Sequence, residues 1–330
     1  MRFRHKRSVC IAALAVAGLS LPAAAAKPSV SWNNPHHAYV IFNDPNNRSY
    51  WSVKEISVDA KPSPTLVLGG SLTNFCQPTA LAISPQGYLY VAGFFGPKCQ
   101  PAIEFFAPGA HGNVAPVGKI AGKKARLNVP YGLAFDRAGT LYEADDQSGP
   151  SFTGEINMYA PGANGNVRPI ARIFGPNTLL SGVAYVAVDD DGEIFAGQTG
   201  GNRILKFPAG ANGDIAPIAM NTVQSGNGFG ELQASGSTVY AAVGILRQQT
   251  PTIYELNATD LSQTGGITDP SFTILFADAD SAGKIYVQNF IRGGAKGHGR
   301  LLEYEPGSQQ PYRVRDDGTS AGGGYIVVGP

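Results

Sequence analysis

Polar residues recur directly after short apolar segments of this sequence, where they could bind a ligand. Two aspartates follow Leu141–Ala144, and amides or aspartates follow the corresponding segments elsewhere. The residues at these positions are Asn43, Asp44, Asp145, Asp146, Gln198, Gln288 and Asn289. Carboxylates and amides that meet at one point bind polar ligands through hydrogen bonds or coordinate Ca²⁺. We take them as ligand-binding candidates, and Asp44, Asp145 and Asn289 as the candidates for a metal. The alternative is that they bond the backbone of nearby loops.

Histidine offers a second kind of site. His36 and His37 precede the first apolar segment, and His298 lies in the Gly-rich loop between Ile291 and Gly299. If the two ends of the chain meet, these imidazoles would bind Zn²⁺ or act as a general base. His298 therefore joins the ligand-binding candidates. The alternative is that all three are surface residues, and no motif fixes Ca²⁺ or Zn²⁺ as a cofactor.

Short acidic turns are a third possibility for metal binding. Asp189 begins an Asp-Asp-Asp-Gly run, but the run lacks the alternating aspartates and the downstream glutamate of an EF-hand loop. The same place holds Asp136-Arg-Ala-Gly and Asp280-Ser-Ala-Gly. Asp at the first position and Gly at the fourth are typical of a type I turn, which is the interpretation favoured here over a metal.

The N-terminus predicts export. Residues 2–7 carry four Arg or Lys, an apolar run over 11–21 follows, and small residues end at Ala26, which is the pattern of a cleaved signal peptide over 1–26. Of the chain's three cysteines, Cys76 and Cys99 lie beyond this segment, and an even count in an oxidising compartment predicts one disulfide between them. We therefore expect a periplasmic or extracellular protein with no membrane span after cleavage.

A repeated cassette positions all of these residues. Each copy contains an apolar run, then an Asp/Ser-x-x-Gly turn, then a second apolar run with an aromatic residue. The aromatic residue returns at intervals of 45 to 53 residues. The copies of this residue are Tyr39, Tyr90, Tyr142, Phe195, Tyr240 and Tyr286. A period of this length built from short strands and Gly turns is typical of a β-propeller with one blade per repeat. Six copies predict six blades, and seven is the alternative.

Each repeat continues with two further strands around a Pro-Gly and Asn-Gly loop. In the best copy the four strands are predicted at 132–135, 141–144, 156–159 and 168–174. The first repeat, at 38–42, lacks an innermost strand, and the chain ends with an unmatched apolar strand over 324–329. The C-terminal strand is therefore predicted to complete the first blade and close the ring, which leaves no open sheet edge.

These residues resemble the NHL-repeat class of propellers, in a secreted, bacterial-looking form. The resemblance is carried by Pro130-Tyr-Gly-Leu-Ala-Phe-Asp-Arg-Ala-Gly-Thr-Leu-Tyr142 and by the Tyr-Ala-Pro-Gly-Ala-x-Gly-Asn loop, and it is good from Cys76 to Val223. It implies an all-β, six-bladed ring of four-stranded blades with a central channel. Related rings bind proteins or small ligands or act as lactonases and lyases, so the resemblance implies no single activity.

The amino-acid composition limits the classes of partner that the protein can be expected to bind. Residues 27–330 carry 21 Lys or Arg against 24 Asp or Glu, a net charge of −3, which argues against nucleic acid. No nucleophile elbow, which needs a Gly-x-Ser-x-Gly turn between a strand and a helix, is predicted. We expect a single exported domain over 27–330 that binds a protein segment or small polar ligand at the channel mouth without catalysis. The alternatives are a metal-dependent lactonase or lyase at the same face, or a structural component of an envelope assembly. The oligomeric state stays open.

Overall fold

The structure is a computed structural model that describes residues 37–44, 47–57, 65–146, 154–198, 203–223, 229–243, 252–268, 275–280, 282–291, 298–316 and 323–329. Its strands form six antiparallel sheets of four strands each, so the predicted six-bladed propeller is confirmed. The predicted signal peptide lies outside the described residues. No helix among them is long and apolar enough to cross a membrane.

The first three blades contain the C-terminal strand and the first eleven strands of the chain. Blade 1 consists of β24 (Gly323–Gly329), β1 (His37–Asp44), β2 (Asn47–Ser57) and β3 (Thr65–Gly69). Blade 2 consists of β4 (Phe75–Ile83), β5 (Leu89–Phe95), β6 (Gln100–Phe106) and β7 (Gly118–Ala121). Blade 3 consists of β8 (Pro130–Phe135), β9 (Leu141–Asp145), β10 (Glu155–Tyr159) and β11 (Ala171–Ile173).

The last three blades repeat this order from the channel outward. Blade 4 consists of β12 (Val183–Val188), β13 (Ile194–Gln198), β14 (Arg203–Phe207) and β15 (Ala219–Thr222) and is preceded by a 3₁₀ turn (Pro176–Thr178). Blade 5 consists of β16 (Phe229–Ser235), β17 (Thr238–Val243), β18 (Thr252–Asn257) and β19 (Gln263–Thr268). Blade 6 consists of β20 (Leu275–Ala279), β21 (Ile285–Ile291), β22 (His298–Tyr304) and β23 (Arg313–Asp316).

The C-terminal strand closes the ring. β24 pairs antiparallel with β1, with His37 opposite Gly329 and Val40 opposite Ile326. It also contacts β20 of blade 6 and β4 of blade 2, so that it occupies the innermost place in blade 1. This confirms the predicted closure. A strand from one end of the chain is thereby held between the first and last blades.

The core lies between the blades. Inner-strand side chains alternate between the two faces of each sheet, so Leu133 packs toward blade 2 and Ala134 toward blade 4. The repeated aromatic residues are buried in the same layers, as Tyr142 and Phe195 show. The alternation explains why apolar residues dominate both faces of the inner strands.

The Asp-x-x-Gly segments form the turns between first and second strands. Asp136 accepts a hydrogen bond from Gly139 N at its carbonyl (3.0 Å) and from Thr140 N at Oδ1 (2.8 Å). Asp189 accepts the same pair from Gly192 and Glu193, at 3.1 Å and 2.8 Å. Each carboxylate is thus satisfied by its own turn, which accounts for these aspartates without a metal ion.

The Ala-x-Gly-Asn loop contacts the outer strand of the preceding blade. Its Asn or Asp accepts a hydrogen bond from a backbone N–H of that blade. These bonds are Leu72 N to Asn113 Oδ1 (2.7 Å), Lys124 N to Asn166 Oδ1 (2.8 Å) and Asn177 N to Asp214 Oδ1 (2.8 Å). The glycine before it forms a parallel bridge, as Gly165 does with Ile120. We call this contact the blade latch; the sequence identified it only as a turn.

Replacing Asn166 with alanine should lower the free energy of unfolding by about 1 kcal/mol, because the Lys124 N–H loses its acceptor. The loss is measurable by urea denaturation with the same slope as the wild type. Asn166→Asp is the matched control, because Asp214 fills the same place in the next latch. Equal losses for the alanine and aspartate variants would contradict the role given to this hydrogen bond.

Candidate functional site in the central channel

Two of the predicted candidates bond the loop that enters their own blade. Asp145 is fully buried and accepts hydrogen bonds from the backbone N–H groups of Asn128 (2.7 Å) and Val129 (3.1 Å). Gln198 is also fully buried and donates to the Leu179 carbonyl at 2.5 Å. In blade 2 the corresponding loops are joined by a disulfide between Cys76 and Cys99, which confirms the predicted pair.

The remaining candidates differ in how deeply their side chains are buried. Gln288 and Asn289, on β21, are 3% and 1% exposed and have interaction partners. Asn43, at the end of β1, is half-buried and lies opposite Trp51. Asp146 is half-buried, and burial raises the pKa of its carboxyl. The side chains of Asp44 and His298 lie outside the described residues, although β22 begins at His298, inside the segment predicted as a loop.

The structure separates two members of the candidate metal set. Asp145 lies on β9 of blade 3 and Asn289 on β21 of blade 6, on opposite sides of a six-bladed ring. In the described part of the chain, no group of three or more His, Cys, Asp or Glu residues is placed to hold a metal ion. His37 forms an ion pair with Glu55, and His36 lies outside the described residues. The described geometry therefore supplies no shared point for these ligands.

Asp145 belongs instead to a buried polar network between blades 2 and 3. Asn157 donates to Glu143 Oε2 at 2.9 Å and to Glu155 Oε1 at 3.3 Å. The Arg172 guanidinium pairs with Glu155 and donates from Nε to Asn157 Oδ1 at 3.2 Å. Burial raises the pKa of Asp145 to about 6 and that of Glu143 well above its usual range, with the negative charge of Asp145 adding to the latter shift.

The candidate site that the geometry supports is a cavity in the central channel. It has a volume of about 500 Å³ and opens among the turns that join first and second strands, on the face opposite the predicted candidates. None of those candidates lines it. Its apolar wall includes Leu81, Leu133, Leu232 and Ile326. A cavity of this size can enclose a small organic molecule.

Four acidic residues among those described line the cavity. Asp136 and Asp280 accept hydrogen bonds within their own turns, and the other two give the cavity its chemical character. Glu231 on β16 and Asp278 on β20 both line it and both reach the closing strand β24. Ile326 N donates to Glu231 Oε2 at 3.4 Å, and Val328 N donates to Asp278 Oδ2 at 2.7 Å. Gln233 donates to the other oxygen of Asp278. Carboxylates of blades 5 and 6 thus bind N–H groups on the channel edge of β24.

Burial controls the protonation of this pair. It raises the pKa of Asp278 to about 6, against the opposing effect of hydrogen bonds from Val328 and Gln233. It raises the pKa of Glu231 well above its usual range, and the charge of Asp278 adds to this shift. Two like charges in one low-dielectric site resist ionising together. Burial and the charge of Asp278 therefore both favour the protonated form of Glu231.

The sequence contains a weak signal for this pair that was missed. Both residues are acidic interruptions of innermost strands that are mostly apolar or small, Phe229-Gly-Glu-Leu-Gln-Ala-Ser and Leu275-Phe-Ala-Asp-Ala. A charged residue in such a strand must have a buried partner or face the channel.

Comparisons with known proteins identify the fold only. No protein-family model and no curated protein matches the chain. The PQQ-bound aldose sugar dehydrogenase of Streptomyces coelicolor is similar with a TM-score of 0.53 and 16% identity, over 82% of this chain and 94% of that one. The WD40 β-propeller domain of Doa1 is similar with a TM-score of 0.52 and 12% identity, over 90% of each chain.

Hydrazine synthase of Kuenenia stuttgartiensis is similar with a TM-score of 0.51 and 13% identity over 75% of this chain. The chain spans 66% of the length of that protein, just under two thirds. At these identities the similarity establishes a β-propeller and carries no activity.

Proposed function

We propose that this protein is a non-catalytic binding module that holds a small ligand with a protonated amine in the channel cavity. The observation that supports this most is the Glu231–Asp278 pair on the cavity wall. Among the described residues that line the cavity, the one Lys or Arg is Arg137, whose side chain is 76% exposed and paired with Asp190. The acidic pair is therefore left for a cation from outside the protein.

An ammonium group suits the pair because its positive charge lowers the carboxyl pKa values that burial raises. A positive charge beside a carboxyl favours the ionised form and lowers its pKa. Binding would remove the proton from Glu231 and create a charge-assisted hydrogen bond, which is stronger than a neutral one. Affinity should also weaken as the pH falls through about 6, the pKa of Asp278, because that carboxylate is then protonated.

The rest of the ligand should be apolar. Leu81, Leu133 and Leu232 line the same cavity as the acidic pair, and apolar contact contributes about 25 cal/mol per Å² removed from water. A compact hydrocarbon group with an amine at one end matches both parts of the wall. Phenethylamine is a probe of this kind, and 2-phenylethanol has the same shape without the charge.

Calorimetry at pH 7 should show phenethylamine binding about tenfold more tightly than 2-phenylethanol, a difference of about 1.4 kcal/mol. Glu231→Gln should abolish most of this preference, because it removes the ionisable group but keeps an oxygen for Ile326 N. Glu305→Gln, which neutralises an acid outside the cavity, is the matched control. Equal binding of amine and alcohol to the wild type, or an unchanged preference in Glu231→Gln, would refute the proposal.

We also propose that residues 1–26 are a cleaved signal peptide and that 27–330 is an exported domain of the NHL class. The Cys76–Cys99 disulfide supports export, because such bonds persist in oxidising compartments. The mass of the protein recovered from the periplasm or medium tests this. A chain that retains residues 1–26 in the cytoplasm would overturn it.

A further inference from the structure

A second groove lies beside the disulfide, on the face opposite the channel cavity. It has a volume of about 720 Å³, and its walls include Trp51, Ser71, Asn74, Phe75, Gln77 and the Cys76–Cys99 disulfide. We call it the disulfide groove. We infer that it binds a neutral saccharide, independently of the function proposed for the channel.

The lining chemistry points to this ligand class. None of the described residues that line the groove is charged, in contrast to the acidic channel cavity. Trp51 and Phe75 are half-buried, so part of each ring faces the groove, whereas Ser71, Asn74 and Gln77 are exposed. A sugar ring has an apolar C–H face that stacks on an aromatic ring, and hydroxyls around its edge that bond amide and hydroxyl groups. A charged ligand would find no counter-ion in this wall.

The aromatic walls are held in place by the core. Phe75 packs edge-on against Phe95 and Phe106, with ring centroids 5.9 Å and 6.0 Å away. Trp51 lies on β2 opposite Asn43, and it packs against the core between blades 1 and 2. Rings fixed by packing lose little conformational entropy when a ligand stacks on them.

The loops that form the polar walls of the groove are held in place by backbone hydrogen bonds and by the disulfide. Gly96 N donates to the Asn74 carbonyl at 2.7 Å, and Cys99 N donates to the Gly96 carbonyl at 3.0 Å. Together with the disulfide, these bonds fix the two loops that face each other across the groove. The blade latch holds the third wall, through Leu72 N and Asn113. The groove is therefore preformed, which favours binding of a ligand with several hydroxyls.

Tryptophan fluorescence can test the groove directly, because the chain has two tryptophans. In a Trp32→Phe protein, the emission reports on Trp51 alone. Cellohexaose, chitohexaose and maltohexaose are the neutral probes, each titrated to about 10 mM, which is enough to detect binding with a Kd of about 1 mM. We expect at least one of them to shift the emission and to protect Trp51 from acrylamide quenching.

Variants then locate the binding. Trp51→Ala should weaken it about 30-fold or more by calorimetry, the effect of losing a hot-spot tryptophan. Gln77→Ala alters an exposed side chain, which keeps the test valid if Trp51→Ala does not fold, and should weaken binding several-fold. Phe174→Ala, which removes a 42% exposed ring elsewhere, should change nothing, and nor should Glu231→Gln. No response to any of the three probes, or binding that survives both groove variants, would overturn the inference.

Discussion

Replacing Arg172 with methionine should lower the free energy of unfolding by about 3 kcal/mol, the cost of breaking a buried ion pair by removing one partner. The Arg172 side chain is 16% exposed and that of its partner Glu155 is 6% exposed. Without the guanidinium, Glu155 keeps Asn157 as its hydrogen-bond partner but loses its counter-ion. Urea denaturation monitored by circular dichroism measures the loss.

The cost should be large because Arg172 pairs with one carboxylate of a network that contains further carboxyl groups. Asn157 links Glu155 to Glu143, and Asp145 lies close enough to raise the pKa of Glu143 by its charge. Arg172 is the cation that is bonded into this network. Removing it leaves acidic groups in a low-dielectric layer with like charges as neighbours.

Two variants give this prediction its controls. Arg168→Met removes an exposed guanidinium from the same blade and should change stability by less than about 0.5 kcal/mol. Adding Glu155→Leu to Arg172→Met should recover part of the loss, because no unpaired carboxylate is then buried. If Arg172→Met and Arg168→Met are equally stable, the network does not stabilise the interface between blades 2 and 3.

Removing the disulfide should lower the free energy of unfolding by about as much as Arg172→Met does. Cys76 and Cys99 are 23 positions apart, and the chain-entropy model assigns about 3 kcal/mol to a crosslink of this span. The Cys76→Ser, Cys99→Ser double variant should melt about 5 °C lower for a chain of this length. Scanning calorimetry of the oxidised wild type and of the double variant gives the two melting temperatures to be compared.

The matched comparison is the wild type treated with a reducing agent. It should melt at the temperature of the double serine variant, whereas the agent should not change the variant itself. Thiol titration of the unfolded, unreduced mature protein should find no free cysteine. A reduced wild type as stable as the oxidised one would show that the hydrogen bond from Gly96 N to the Asn74 carbonyl suffices to hold these loops.

The architecture was predictable because it repeats. Aromatic residues such as Tyr142 return once per blade. The first repeat lacks an innermost strand, and the last strand of the chain fills that place by pairing with β1. The disulfide followed from the same order, because the loops before β4 and after β5 lie on one face. Blade 5 forms four strands like the other blades.

The polar sites were harder to predict because each depends on residues from another part of the chain. Asp145 was interpreted as a ligand-binding candidate, but its oxygens accept bonds from a loop 16 and 17 positions earlier. Glu231 and Asp278 meet the closing strand 95 and 50 positions later. The Asn of the latch bonds the preceding blade. Asp145 bonds the loop that enters its own blade, whereas the partners of Glu231, Asp278 and the latch residues lie outside their own repeats. The sequence of one repeat therefore indicates only a turn or a polar strand end.

Proton release on binding tests the central claim most directly. Calorimetric titration of phenethylamine at pH 7, in phosphate and in Tris, should give different observed enthalpies, because Glu231 passes a proton to the buffer when the ammonium group binds. We predict that binding releases protons from the wild type and that Glu231→Gln lowers this release. Identical enthalpies in the two buffers, with binding intact, would contradict a channel site built on the acidic pair.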